Sequence, residues 1–421
     1  MTHPNRIKPL AQDYNKIVES PDPRTIYAYT PGLAALPDGN LILTMELGGP
    51  GLPDSLPRAA RFGKPYLGSA YLSDDQGASW QHVADYPINH GRPFMAGDSL
   101  YILGQDSDLA IIRSDDYGQT WTAPAHLTQG ENWHQSACSV WHDKGCVYLV
   151  MEQVRPHGAN PWPVSACAPV LMRGSVHDDL TQRDSWTFAS SMTFEQGVNA
   201  DRLDWFGVPF YPEAETAYYP APNRGCAKIG WLETNVVKIL DPAHYWYDPT
   251  GNTYHLFARA HTGGTGYCAV LKAVEQPDGS IVTLSETMPS GRRAVLLPMP
   301  GGQMRFHLIY DEPTRLYWLL SSQATDSMTR AELLADDRYN LPNNERHRLQ
   351  LHFSKNCVDW CFAGIVAIGE TPRCARHYAS MIAVGEDLLI ASRSGDMAAA
   401  SAHNGNFISL HRVPDFRGLV Y

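Results

Sequence analysis

No run in this 421-residue sequence approaches the roughly 18 consecutive apolar residues that a membrane-crossing helix needs. A basic stripe is missing too. The formal charge is −11, from 33 Lys and Arg against 44 Asp and Glu, and it is spread without blocks of like charge. That balance argues against non-specific nucleic-acid or anionic-membrane binding. The eight cysteines (Cys138, Cys146, Cys167, Cys226, Cys268, Cys357, Cys361 and Cys374) form no CxxC pair. They read as buried free thiols of a reducing compartment rather than as zinc ligands. HxH and HExxH spacings do not occur, so no metal is expected. No Rossmann or Walker glycine pattern occurs either. The glycine-rich Thr262–Gly266 does not lead into a helical pattern and reads as a tight β turn, so no cofactor is expected. Met1–Ile17 holds no apolar h-region. The chain therefore reads as cytoplasmic, or as secreted or periplasmic if a leader has been removed. Nothing in the sequence fixes an oligomeric state.

Long helical patterns are scarce as well. What is present is a succession of short β-rich runs separated by turn residues, with 11 Trp and 21 Tyr among them. The runs group into six sets with no linker between them. This predicts an all-β chain, a six-bladed β-propeller of four-stranded antiparallel blades, in a single domain over 1–421. Residues 1–28 read as an irregular lead-in, and 192–229 and 327–346 as long loop insertions. The C-terminal strand is expected to close the ring by pairing with an N-terminal blade, because an open ring leaves exposed strand edges.

One motif recurs within the sets. Ser73-Asp74-Asp75-Gln76-Gly77-Ala78-Ser79-Trp80 and Ser114-Asp115-Asp116-Tyr117-Gly118-Gln119-Thr120-Trp121 both read S-x-D-x-G-x-[ST]-W, each after an apolar run. In such a turn the Asp accepts backbone N–H groups, Gly takes φ > 0, and Trp returns to the core. Ser354–Trp360 reads as a degraded copy. These turns resemble the Asp-boxes (BNR repeats) of the sialidase, or neuraminidase, superfamily. In that family they stabilise blades and lie away from the site.

Four further stretches are similar to sialidases in the same order. Tyr29-Thr30-Pro31 leads to Pro37-Asp38-Gly39 where the family has Arg-Ile-Pro before the same turn. Glu233 precedes the Val236-Val237 strand, and Arg259 ends the next one. Gly302-Gln303-Met304-Arg305 matches the approach to the family's third arginine. Tyr378-Ala379-Ser380-Met381 matches the opening that carries the family's nucleophilic tyrosine. The resemblance implies Tyr378 as nucleophile and Glu233 as the base that activates it. Arg259 and Arg305 would hold a carboxylate. Asp54 would be the general acid, with Glu46, nearer its strand end, as the alternative.

A neutral phenol suits a substrate whose own carboxylate would repel an anionic nucleophile. Tyr29 in place of the first arginine points to a sugar other than sialic acid, acidic or neutral. His90, Arg92, His134, Gln135, Arg376 and His377 also sit just before apolar strands, at positions that converge on a propeller's central funnel. The resulting expectation is an exo-acting, retaining glycoside hydrolase whose partner is an oligosaccharide or glycoconjugate. The alternatives are a polysaccharide lyase using His90, His134 and Tyr378 on a uronate, and a non-catalytic glycan-binding propeller.

Overall fold

The computed structural model describes residues 7–61, 64–156, 164–198, 230–261, 266–326 and 345–421, with residues 329 and 333. The sequence-predicted insertions at 192–229 and 327–346 lie largely outside these residues, as do Cys226 and most of Thr262–Gly266. Six antiparallel sheets follow one another along the chain as six propeller blades. Their innermost strands are Tyr27–Ala35, Asn89–Ala96, Trp133–His134 with the segment after it, Gly230–Val237, His307–Asp311 and Arg376–Val384. The second strands are Leu41–Gly48, Ser99–Gln105, Cys146–Val154, Thr253–His261, Leu316–Ser322 and Asp387–Ser394. These second strands are nearly continuous apolar runs, such as Leu41-Ile42-Leu43 and Leu316-Tyr317-Trp318-Leu319-Leu320, because each blade is buried on both faces between its neighbours.

The core is accordingly divided among the blade interfaces. Ile42 and Leu72 of the first blade meet Leu100, Ile102 and Ile112 of the second. Leu389, Ala391 and Ile408 of the sixth meet Leu41, Leu43 and Met45 of the first. Each fully buried Leu or Ile contributes about 1.5–3 kcal/mol relative to exposure.

Ring closure runs opposite to the expectation from sequence. Asn15–Glu19, inside the stretch read as an irregular lead-in, is a strand that pairs antiparallel with Phe407–Val413. The sixth blade has three strands from the C-terminal end of the chain, and this N-terminal strand covers its open edge. The five residues are too short, and too interrupted by a bulge between Lys16 and Val18, to show an alternating pattern.

Both intact S-x-D-x-G turns connect the third and fourth strands of their blades and are satisfied from within. Gly77 N–H donates to Ser73 Oγ (2.8 Å), Ser79 N–H donates to Asp75 Oδ1 (2.8 Å), and Trp80 Nε1–H donates to the Gly77 carbonyl (3.2 Å). The second turn repeats the pattern with Gly118 to Ser114 (2.7 Å), Thr120 to Asp116 (2.8 Å) and Trp121 to Gly118 (3.0 Å). Hydrogen bonds from Ser79 hold the Asp75 carboxyl down at about 2. Gly77 is required twice over. Its φ is +89 within a degree, at 88°, and a Cβ there would stand 2.3 Å from Leu410 of the sixth blade.

Candidate active site

At one end of the ring the innermost strands do not run straight. In four blades the register slips between Tyr29 and Gly32, Asn89 and Arg92, Leu232 and Asn235, and His377 and Ser380. Over each slip the inner strand advances three residues while its partner retreats by two; Asn89 faces Gln105, for example, and Arg92 faces Leu103. The extra residue is a β-bulge, which bends the strand and re-aims side chains. In three of the four the residue after the slip begins is left-handed and not glycine: His90 (φ 54°), Glu233 (φ 56°) and Tyr378 (φ 49°). Each such conformation costs on the order of 1–3 kcal/mol and persists only where the surroundings hold it.

The cross-strand partners at these levels are polar and buried. Glu46 faces Tyr29, Gln105 faces Asn89, Glu152 faces His134, Arg259 faces Leu232, and Arg393 faces His377. An apolar strand that ends in a buried Glu, Gln or Arg thus recurs blade after blade.

Tyr378, Glu233 and Arg259 are brought together. The Tyr378 hydroxyl donates to Glu233 Oε1 at 2.5 Å. Arg259 Nη1 lies 3.1 Å from Glu233 Oε2 and 2.9 Å from the Tyr378 oxygen. Its Nε–H donates to the Gln303 carbonyl at 2.9 Å, which fixes the plane of the guanidinium. Burial, then the Glu233 charge, raises the Tyr378 phenol above its ordinary value; Arg259 and Arg346 oppose the shift. The phenol at rest is therefore neutral, hydrogen-bonded to a base, and faces a cation that would stabilise its anion.

Two more guanidinium groups surround the phenol. Arg346 lies 5.6 Å and Arg393 5.4 Å from the centre of the Tyr378 ring. Arg346 Nη1 is 2.9 Å from His377 Nδ1, and the His377 ring stands edge-on to Tyr378 at 5.2 Å. Arg393 stacks over Tyr29 at 4.2 Å, and the Tyr29 hydroxyl donates to Asn404 Oδ1 at 3.0 Å. Burial lowers the Arg346 guanidinium to about 9, and burial also lowers Arg393.

Along the rim, His90 Nε2 is 3.3 Å from Glu46 Oε1, and Gln105 Nε2–H donates to His90 Nδ1 at 3.0 Å. That donation leaves the His90 proton on Nε2, facing the carboxylate. The His134 ring lies edge-on to His90 at 5.6 Å. Gln135 and Glu152 brace the bulge of Glu233. Thr234 N–H donates to Glu152 Oε1 (2.9 Å), Gln135 Nε2–H donates to the Thr234 carbonyl (3.2 Å), and Cys138 Sγ–H donates to the Glu233 carbonyl (3.3 Å). Burial lifts the Glu152 carboxyl to about 8.

Other residues singled out in the sequence stand elsewhere. Asp54 is exposed and pairs with Arg58 at 2.7 Å. Arg305 donates to the carbonyls of Ala137 and Ala379 and to Ser380 Oγ (2.9 Å), so its guanidinium is engaged along the propeller axis rather than on Glu233 or Tyr378. Arg92 donates to the carbonyls of Ser136 (3.0 Å) and Val150 (3.1 Å). Arg376 packs on Tyr14 and Phe407 and donates to the Ala375 and Gly395 carbonyls. In each case the neighbouring strand offers carbonyl oxygens that a buried guanidinium must use. Among the described residues, no three His, Cys, Asp or Glu side chains gather as a metal site. No described helix is long and apolar enough to cross a membrane, and the seven described cysteines are free.

Comparison with solved structures places this architecture. The NanB sialidase of Streptococcus pneumoniae superposes with a TM-score of 0.54 at 10% identity, over 95% of this chain and 70% of that one. The intramolecular trans-sialidase of Ruminococcus gnavus, in complex with oseltamivir carboxylate, gives 0.53 at 11%, over 97% and 98%. The Hadza microbial sialidase Hz136 gives 0.53 at 12%, over 92% and 66%. The chain shares the fold of these sialidases. No family model matches the sequence, and no curated protein matches it.

Sequence reading missed Arg346, Gln105 and Glu152, and left Arg393 at the edge of a polar loop. For three of these a signal existed. Leu-Gly-Gln105, Val-Met-Glu152 and Ala-Ser-Arg393 each end an apolar second strand, as Met-Glu46 and Ala-Arg259 do. Arg346 precedes its strand in a stretch without periodicity, and nothing local marks it.

Proposed function

We infer that the protein is a carbohydrate-active enzyme, a retaining exo-glycosidase that acts on a terminal acidic sugar. The observation that carries this reading is the buried contact of Tyr378, Glu233 and Arg259. As the phenol oxygen attacks the anomeric carbon, its proton passes to Glu233, and Arg259 stabilises the negative charge that develops on both oxygens. Glu46 with His90 serves as the proton donor to the leaving oxygen, since Asp54 stands exposed and paired with Arg58. In the second half-reaction the same pair activates water and the covalent glycosyl–tyrosine bond is hydrolysed.

The acidic substrate follows from charge. Arg259, Arg346 and Arg393 surround Tyr378, against Glu233 and Glu46 as the nearby carboxylates. An anionic group on the sugar would balance the excess. Arg393 stacked over Tyr29 puts positive charge beside the position where sialidases carry their first arginine. A propeller of this fold is known with a carboxylate ligand bound.

Fluorogenic glycosides of acidic sugars test the reading. Hydrolysis by the unmodified protein, lost in Tyr378→Phe, is expected. Release of a product with the ultraviolet absorbance of an unsaturated uronate would instead establish a lyase. Binding without turnover would establish a lectin.

A further inference from the structure

Below the bulges, the channel along the propeller axis holds a cavity of about 410 Å³, lined by the lower parts of the innermost strands. Arg92, His307 and Ser380 are among its walls. Arg92 and Arg305 are 2% and 1% exposed, and both attach to the same short segment of the third blade, at the Ser136 and Ala137 carbonyls. Among the described residues, neither meets a carboxylate at ion-pair distance. Arg92 Nε and Nη1 and Arg305 Nε are buried donors without an acceptor. Met381 N–H donates to His307 Nδ1 (3.3 Å), which leaves an N–H on Nε2 of that ring. Two like charges and several single donors thus converge near residues 136–138 with only carbonyl oxygens to oppose them.

Buried charge of one sign is unfavourable unless it is compensated. The nearby carboxyl of Glu152 does not supply the compensation. Burial lifts it to about 8, so it is protonated near neutrality. Burial and mutual repulsion act on the cations too: Arg92 is lowered to about 10, with Arg305 among the causes.

We propose that the axial channel binds a small halide ion, chloride in a cell, between Arg92, Arg305 and His307. The occupant is spherical because Nη2 of each arginine is already committed to carbonyl oxygens. No side-on fork is then left for an oxyanion, whereas separate N–H donors suit an ion with no directional demand. The bound ion would tie the second, third, fifth and sixth blades together at the axis, since Arg305 also donates to the Ala379 carbonyl and Ser380 Oγ. This site is distinct from the Tyr378 cluster, and its test does not depend on any sugar.

Thermal unfolding of the full chain in sodium chloride and in sodium gluconate at matched ionic strength reads the effect. A saturable rise in midpoint with chloride, absent in gluconate and diminished in Arg92→Met, is expected. Crystals soaked in bromide should show an anomalous peak within hydrogen-bond reach of Arg92 and Arg305, and this decides the matter even if Arg92→Met does not fold. Equal midpoints in the two salts, bromide only at the surface, or protection by sulfate in place of chloride would overturn the proposal.

Discussion

The outer turns and the inner bulges use the same backbone device in opposite ways. Gln76 and Tyr117 in the turns are left-handed at φ 56°, close to Glu233 at 56° and Tyr378 at 49°. In the turns, an Asp, a Ser and a Gly within eight residues satisfy the bend. In the bulges, support arrives from other blades. Tyr378 and Glu233 are 145 residues apart in sequence, and Glu152 reaches across 82 to hold Thr234. A conformation held locally does one structural task. A conformation held from several blades fixes side chains from distant segments at reacting distance, which is what pre-organised chemistry requires.

The largest expected effect on the inner set is from Tyr378→Phe. Turnover should fall on the order of 10³-fold with the thermal midpoint little changed, measured by steady-state kinetics and calorimetry. A variant that keeps its rate would remove the contrast between the two regions. Next come Arg346→Met and Arg393→Met. Each should raise KM for an acidic glycoside about 10- to 100-fold, as expected for loss of one charge-assisted contact of about 1.5–3 kcal/mol. A neutral analogue should lose far less.

Glu152→Gln addresses the brace. The folded-state carboxyl is lifted to about 8 from an ordinary 4.5. As pH rises from about 4.5 to about 8, the unfolded chain releases this proton and the folded protein keeps it. Stability contributed at low pH is therefore lost over that window, and the loss levels off above about 8. The Gln variant, which preserves the Oε1 acceptor for Thr234, should flatten that slope in denaturant titrations while keeping kcat near neutrality.

The smallest effect belongs to the outer set. Asp75 is depressed to about 2 from 3.8, so its contribution is present above about pH 4 and lost as pH falls through about 2. Asp75→Asn should lower the thermal midpoint slightly at pH 7 and weaken the acid dependence, with kcat unchanged. Adding Asp116→Asn, in a separate turn, should give an additive loss.

The same contrast explains what the sequence made legible. Short apolar runs with turn residues between them disclosed the six blades, and the self-contained turns disclosed two blade ends. Tyr378, Glu233 and Arg259 were reachable because each adjoins an apolar strand. Arg305 adjoins one in the same way, yet it points along the axis. One extra residue in a bulge decides whether a side chain faces the rim or the channel, and no local pattern records that residue. The N-terminal strand was hidden for a related reason: its partner, Phe407–Val413, lies at the other end of the chain.

The most direct test of the account is to map a trapped intermediate. The protein would be incubated with fluorinated glycosyl fluorides of acidic sugars, digested, and examined by peptide mass spectrometry. The account predicts a covalent glycosyl adduct on Tyr378, formed by the unmodified protein and absent in Tyr378→Phe. An adduct on any other residue, or turnover that inverts the anomeric centre, would contradict it.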